Sequence, residues 1–242
     1  MPTRGEWIGT YDEALSSIAA IMTGDLGLPP LRASLYFYPD RAAFQSALEA
    51  DGYPADFARQ TASTLSAVSG FQRVLINDRS MEEVGWLIRV ALLAHELTHT
   101  LQYEFGGGTR GTSDQWLREG FAEWVEVEVL VRLGFTTRVE ARRIMLNRLR
   151  DAGRQRLPTL TQMVTFPDWV ALVERFGQEA VYGHAMLAAE YLLERQGLSA
   201  AISYFELFRG SDDRLANFRR AFGQDLGAFE ADFSARLSTL LR

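Results

Sequence analysis

The sequence of 242 residues contains no cysteine and no lysine, and only three of its residues are histidines. The absence of cysteine excludes a thiol nucleophile, a disulfide framework, an iron–sulfur cluster and a thiolate zinc site. The absence of lysine excludes a Schiff-base lysine, a serine–lysine dyad and the lysine of a P-loop. A transition metal bound by this chain must therefore be held by carboxylates and by the imidazoles of His95, His99 and His184.

Long apolar runs are also missing. No stretch reaches about 18 uninterrupted apolar residues, so we expect no transmembrane helix. Residues 1–10 lack the basic start and apolar core of a secretory signal. This pattern indicates a cytoplasmic protein if the chain is complete, and an exported one if a leader has been removed. With 47% hydrophobic and 23% charged residues, the composition is typical of an ordinary globular protein.

Positive charge is concentrated in one part of the chain, the Arg-rich segment of residues 132–156. It holds eight arginines and two acidic residues, a charge of +6. Since the net charge of the whole chain is −6, the remaining residues carry a charge of −12. Such a surface can serve an anionic partner such as nucleic acid. Because no lysine and no DNA-binding motif accompany it, we expect a solvated helix paired with its own acidic residues, and no nucleic-acid partner.

The N-terminal part of the chain mixes helix and strand patterns. A helix is predicted over residues 11–22, ended by the breaker residues that follow it. Strands are predicted at residues 31–38 and 71–77, which are rich in aromatic and branched side chains. Between them, Asp40 is expected to cap a helix that runs to Ala50.

From residue 83 onward the pattern is almost wholly helical. The helix predicted over residues 83–103 is apolar nearly all round and should be buried. After a glycine-rich connector, Ser113 or Asp114 caps a helix that Gly134 stops. Further helices are predicted at residues 139–152, 169–176, 178–196, 199–208, 213–222 and 226–241. The predicted fold class is α+β, within a single domain of residues 1–242 made of a small mixed α/β lobe (residues 1–105) and a helical lobe (residues 106–242).

The segment HELTH, residues 95–99, lies in the middle of the predicted buried helix. Four residues advance a helix by about 400°, so His95 and His99 project from one face, one turn apart. Their ring nitrogens can reach one metal ion at roughly 2.1 Å. Glu96 flanks the pair and can reach a metal-bound water without binding the metal. Since burying three ionisable groups without a function is costly, we interpret the segment as a metal site.

A catalytic zinc ion usually has three protein ligands and an open position for water. One candidate for the third ligand is His184, and the other is a carboxylate. The next predicted helix offers Glu119, Glu123 and Glu126, which share one face. Acidic groups on one face repel each other unless a cation or hydrogen bonds hold them, so this face is expected to belong to a shared site.

Two segments, AHELTHTLQ (residues 94–102) and WLREGFAEWVE (residues 116–126), resemble the zinc-binding core of the gluzincin metallopeptidases. The resemblance is closest to the peptidase MA-like domains, which are similar to the thermolysin and M1 aminopeptidase families. It implies a zincin-like fold and a zinc metallopeptidase that hydrolyses peptide or protein substrates with a zinc-activated water.

The resemblance also assigns roles to residues. It implies that His95, His99 and Glu119 bind Zn²⁺ and that Glu96 is the general base. Glu123 matches the position of an acidic residue that orients a ligand histidine, which would fix the histidine tautomer and raise its basicity.

A third segment, AVYGHAMLAAEYLLERQG (residues 180–197), resembles the helix that carries a catalytic tyrosine in these families. The matching residue is Tyr182, whose hydroxyl would donate to the oxyanion of a tetrahedral intermediate. His184 would assist the oxyanion, contact substrate or pack in the core.

By the same analogy, the strand at residues 71–77 is an edge strand that binds extended substrate, and Gly120 lets the two metal-site helices approach closely. The G-x-M-E-N exopeptidase signature is missing, so endo- and exopeptidase action both stay open.

Two other functions are compatible with the sequence. One is a catalytically silent metal-binding protein whose helical lobe and Arg-rich segment bind a partner. The intact Glu96 argues against it, as does the preference of structural zinc sites for four protein ligands, mostly cysteine or histidine. The other is a zinc hydrolase of a non-peptide substrate, which the ligand set alone does not exclude.

Overall fold

The computed structural model of the chain describes residues 8–151 and 157–242. The last residue of the predicted helix 139–152, and the part of the Arg-rich segment from 152 to 156, lie outside the described residues. The same holds for residues 1–7.

The first two helices begin at side-chain caps. Helix α1 (Tyr11–Ala20) starts after Thr10, whose hydroxyl accepts the Glu13 amide, and it ends in a π-helical turn, Ile21–Asp25. Strand β1 (Ser34–Tyr38) follows, and helix α2 (Arg41–Ala50) has Asp40 as its cap, as predicted. The structure adds helix α3 (Ala55–Thr64), strand β2 (Ala67–Gly70) and the short helix α4 (Asp78–Glu82), which we did not predict.

The sheet has three strands in the order β1-β3-β2, where β3 is Arg73–Asn77. Strand β1 pairs with β3 in parallel, and β2 pairs with β3 antiparallel. The expectation that residues 71–77 form an edge strand is therefore wrong, because β3 has a neighbour on each side. The outer strands are β1 and β2, and the expectation, which came from the family resemblance, did not include β2 as a neighbour of β3.

The two helices that carry the metal motifs pack against each other. Helix α5 (Trp86–Phe105) is buried over most of its length, as its apolar pattern predicted. Helix α6 (Gln115–Leu133) starts after Asp114 and ends at Gly134, whose φ of 80° is the left-handed conformation that glycine adopts at little cost.

The helical lobe follows the predicted order closely. Its helices are α7 (Arg138–Asp151), α8 (Phe166–Phe176), α9 (Gln178–Gln196), α10 (Leu198–Leu207), α11 (Arg214–Phe222) and α12 (Leu226–Leu240). Helix α8 begins three residues earlier than predicted because Thr165 and Asp168 form a capping box around a proline in its first turn. The fold class is α+β, as predicted.

Gly120 lies at a close contact between α6 and α9. Helix α6 packs against both α5 and α9. A Cβ atom at Gly120 would lie 2.2 Å from the carbonyl oxygen of Ala185, which belongs to α9. The glycine therefore allows α6 to approach α9, and the expectation that it serves the contact between the two metal-site helices is wrong.

The described arginines of the Arg-rich segment are paired within the molecule. The contacts join Arg132 and Arg138 to Glu128, Arg142 to Glu190 and Glu194, Arg143 to Glu140, Arg148 to Glu179, and Arg150 to the carbonyl oxygens of Leu240 and Leu241. This matches the expected helix with its own counter-charges. Among the described residues, none of the helices combines the length and apolar character that a bilayer crossing requires.

Candidate metal centre

Three donor atoms from two helices converge on one point. The Nε2 atoms of His95 and His99 lie 3.1 Å apart, and Oε2 of Glu119 lies 3.3 Å from the first and 3.4 Å from the second. In a tetrahedron with metal–ligand bonds of 2.0–2.1 Å, the ligand atoms are about 3.3–3.4 Å apart. The three atoms thus form one face of such a tetrahedron, and the group could hold a metal ion.

The helices supply this triangle for local reasons. His95 and His99 occupy positions i and i+4 of α5, so their rings lie on one face. Glu119 comes from the first turns of α6, and its Oε1 accepts a hydrogen bond of 2.6 Å from Gln115 Nε2. This contact leaves Oε2 directed at the two imidazoles. The candidates for a third ligand were His184 and a carboxylate of the next helix. The structure places a carboxylate, that of Glu119, next to the two histidines.

The outer nitrogens of both imidazoles face acceptors. His99 Nδ1 lies 2.9 Å from Gln102 Oε1, and Gln102 Nε2 donates to the Arg118 carbonyl oxygen at 2.9 Å. The amide oxygen only accepts, so His99 Nδ1 donates, and in the neutral ring Nε2 is then the atom with the lone pair that a metal would bind. His95 Nδ1 lies 3.4 Å from Glu123 Oε1, where the resemblance expects an orienting acid, and 3.6 Å from Glu126 Oε2.

The electrostatics of the cluster favour positive charge within it. Burial disfavours a charged His95, but hydrogen bonds with Glu119, Glu123 and Glu126 outweigh burial and hold the pKa of His95 well above its ordinary value. Burial also disfavours a charged Glu119, yet the charge of His99 and hydrogen bonds to both imidazoles keep the pKa of that carboxyl well below its usual range. A proton and a metal cation compete for such a site.

Glu96 lies beside the cluster and outside it. It is 9% exposed and lines the same cavity as the two histidines and Glu119. Ser69 Oγ, on strand β2, lies 2.5 Å from Glu96 Oε2 and 2.8 Å from the Glu96 carbonyl oxygen. The serine thereby ties the carboxylate of α5 to the sheet and restricts its orientation next to the cluster.

Tyr182 lies at the cavity on the side of α9. Its ring centroid is 6.2 Å from that of His95, and Trp169 packs edge-on against it at 4.9 Å. Burial and the negative charge of Glu119 raise the pKa of Tyr182. The phenol therefore stays protonated at neutral pH and can donate a hydrogen bond into the cavity.

The cavity is an open cleft with a volume of about 150 Å³ and an aromatic wall. Tyr53 stacks on Phe57 with centroids 5.4 Å apart, and Phe57 meets Phe166 edge-on at 5.9 Å. The guanidinium of Arg110 lies over the Phe166 ring, 5.4 Å from its centroid. Arg118 completes the wall. Burial, and after it the charge of Arg110, lowers the pKa of Arg118 to about 10, so its guanidinium is still charged at neutral pH.

His184 does not reach the cavity. It is 5% exposed, stacks on Phe233 with centroids 5.4 Å apart, and its Nδ1 has no hydrogen-bond partner among the described residues. Two residues turn a helix by about 200°, so His184 and Tyr182 point to nearly opposite sides of α9. Of the roles considered for His184, packing is the one that the structure supports, and contact with substrate or an oxyanion is not.

Several side chains that position the site were missed in the sequence. Gln102 follows His99 by three residues on α5, and Gln115 precedes Glu119 by four residues on α6, so helical spacing alone could have indicated both. Ser69, Arg110 and Arg118 reach the site through tertiary packing. For these three, no local pattern distinguishes them from surface residues.

Comparisons with known proteins add no relative. A scan against protein-family models, a search of curated proteins and a search of solved structures find no match to the chain. The resemblance to gluzincin peptidases therefore depends on the residues of the metal motifs.

Proposed function

We propose that this chain is a zinc-dependent metallopeptidase of the gluzincin type, with a zincin-like fold. The observation that carries the proposal is the triangle formed by His95, His99 and Glu119, with the carboxylate of Glu96 beside it in the same cavity. A structural metal site does not require a free carboxylate next to its ligands. A hydrolytic site does, because a base must accept the proton of the attacking water.

The donor set is suited to zinc. Two imidazole nitrogens and one carboxylate oxygen are a common ligand set of catalytic zinc, which keeps a fourth position for water. Magnesium and calcium prefer ligand sets made of oxygen atoms. The spacing of the three donor atoms, 3.1–3.4 Å, also suits the short bonds of tetrahedral zinc. His95, His99 and Glu119 would hold the ion, supported by Glu123, Glu126, Gln102 and Gln115.

The chain's own residues account for the proton transfers. When bound, zinc supplies a Lewis acid that acidifies water and polarises the scissile carbonyl group. Glu96, held by Ser69, accepts the proton of the attacking water and passes it to the leaving amine. Tyr182, protonated in its buried position, donates a hydrogen bond to the oxyanion of the tetrahedral intermediate.

A peptide substrate suits the surroundings of the site. Residues 67–69 of β2 line the cavity, and β2 is an outer strand of the sheet. An extended peptide can pair with such a strand through main-chain hydrogen bonds, which holds a peptide bond near the metal cluster. The aromatic wall of Tyr53, Phe57 and Phe166 offers apolar contact for a side chain of the peptide.

The test is a broad peptide-library digest of the purified protein, combined with metal analysis. We expect one zinc ion per chain, cleavage of a subset of peptides, loss of cleavage with a chelator and recovery with added zinc. Glu119→Gln should lose zinc and activity together, while Glu174→Gln, an exposed change on α8, should keep both. One bound zinc ion without cleavage of any peptide would contradict the proposal and favour a metal-binding interaction protein.

A further inference from the structure

Arg118 is the one arginine that is buried among the described residues, with 3% exposure. Its Nη1 donates to the Arg110 carbonyl oxygen at 2.9 Å and to Ser113 Oγ at 3.3 Å. Within the described ranges, no carboxylate oxygen lies within 4.0 Å of its guanidinium nitrogens. The Arg118 guanidinium also lies over the Tyr103 ring, 5.6 Å from the centroid. A buried guanidinium whose contacts are all neutral is costly, so its position beside the metal cluster requires an explanation.

Arg110 repeats this pattern at the mouth of the cavity. Its guanidinium donates to the side-chain oxygen of Gln115 and lies over Phe166, and no carboxylate of the described residues pairs with it. The hydrogen bond from Arg118 to the Arg110 carbonyl ties the two residues together. Two positive charges therefore line the same cavity.

Away from the cavity, two buried carboxylates are paired with arginines. Arg132 and Arg138 share the buried Glu128, and Arg214 pairs with the fully buried Asp114. Each of these two buried carboxylates thus has an arginine partner. At the cavity, the acceptors of Arg110 and Arg118 are neutral oxygens.

The net charge of the cavity wall indicates the charge of the substrate that it can bind. When the imidazoles are neutral, as metal binding requires, its charged side chains are Glu96, Glu119, Arg110 and Arg118, which sum to zero. In the proposed function, the two glutamates are committed to the metal and its water, and a divalent cation changes the sum to +2. A substrate that brings negative charge near the scissile bond would offset this charge and provide acceptors for both guanidinium groups.

We propose that Arg110 and Arg118 bind a carboxylate of the peptide substrate close to the scissile bond. This inference rests on the proposed peptidase function. Arg110 and Arg118 line the same cavity as His95, His99 and Glu119, so a carboxylate bound by them lies beside the metal cluster. This carboxylate can be the free C-terminus of the peptide or the side chain of an aspartate or glutamate. In the first case the enzyme would act as a carboxypeptidase, and in the second it would cleave next to an acidic residue.

Two matched pairs of peptides separate these sources. The first pair is blocked at both ends and has either Glu or Gln next to the scissile bond. The second pair is acetylated at its N-terminus and ends in either a free carboxylate or an amide. We would measure kcat/KM with the wild type and the dissociation constant with the zinc-loaded Glu96→Gln variant, which binds peptides without cleaving them.

We expect the carboxylate member of at least one pair to bind and react about 10- to 100-fold better, the range of charge-assisted hydrogen bonds. Arg118→Met should abolish this preference. Because Arg118 also supports the backbone near residue 110, the exposed change Arg110→Gln is a second test that leaves the fold intact. It should reduce the preference several-fold, and Arg110→Lys should restore part of it. Arg59→Gln, which removes an exposed arginine of α3, should change nothing.

The failures of the inference and of the proposed function are distinguishable. If the wild type cleaves both members of each pair equally, the inference is wrong and the peptidase stands. A preference that persists in Arg110→Gln and Arg118→Met would also overturn it. If the wild type cleaves no peptide, the proposed function fails, and the dissociation constants alone test the arginine site. A preference for the carboxylate peptide that is lost in Arg110→Gln upholds the site. Equal binding of both members of each pair overturns it.

Discussion

Replacing His184 with leucine should remove a source of acid sensitivity from the fold. The imidazole is buried on α9, packs against Phe233, and has no acceptor for its Nδ1 among the described residues. Burial lowers the pKa of His184 from 6.5 to about 4. Leucine has a similar volume and does not titrate, so the exchange removes the proton-binding site while keeping most of the packing.

The sign and size of the effect follow from proton linkage. Between pH 6.5 and pH 4 the unfolded chain binds a proton at His184 that the folded chain does not bind. The contribution of the neutral imidazole to stability is therefore complete above pH 6.5 and is lost as the pH falls. The loss reaches about 2 kcal/mol at pH 5 and about 3 kcal/mol below pH 4.

The assay is urea unfolding at pH 7.5 and at pH 5 with a chelator present, so that metal binding does not contribute. We expect the free energy of unfolding to fall by about 2 kcal/mol less in His184→Leu than in the wild type between these two pH values. Other titrating groups contribute equally to both proteins and cancel in the difference. Phe229→Leu, a nearby core change, should lower stability at both pH values without altering the difference. An identical pH dependence in His184→Leu and the wild type would refute the reasoning.

Three further substitutions test the packing and the site. Gly120→Ala should destabilise the fold by about 3 kcal/mol in urea unfolding, because the new Cβ meets the Ala185 backbone, whereas Gly227→Ala, with open space around it, should be neutral or slightly stabilising. Gln102→Met should weaken zinc binding about 10- to 100-fold in a competitive chelator titration, because the ligand histidine loses its orienting acceptor. Tyr182→Phe should keep zinc and lower kcat about 10- to 100-fold; an unchanged kcat would remove the tyrosine from the mechanism.

Local spacing was sufficient to predict the helices that carry the site. The pair His95 and His99, and the face with Glu119 and Glu123, depend only on helical periodicity, which the chain obeys in α5 and α6. Helix ends marked by Asp40, Gly134 and other capping residues were also predictable, since a cap acts on its own first or last turn.

The parts that were missed depend on tertiary contacts. Strand β2 has the sequence AVSG, whose small residues carry little strand signal, and it is held by pairing with β3. Ser69 meets Glu96 only because this strand lies across α5. For His184, proximity to Tyr182 in sequence suggested a shared site, whereas the rotation of the helix separates the two side chains.

The central claim is that Glu96 acts as a base in zinc-dependent peptide hydrolysis. Its most direct test is the Glu96→Gln variant, with zinc content and peptide cleavage measured beside the wild type at equal occupancy. Glutamine keeps the size of the side chain and its contact with Ser69, and it removes the group that accepts the proton. We predict one zinc ion per chain in both proteins and cleavage by the wild type alone. Full cleavage by the zinc-loaded variant would contradict the account.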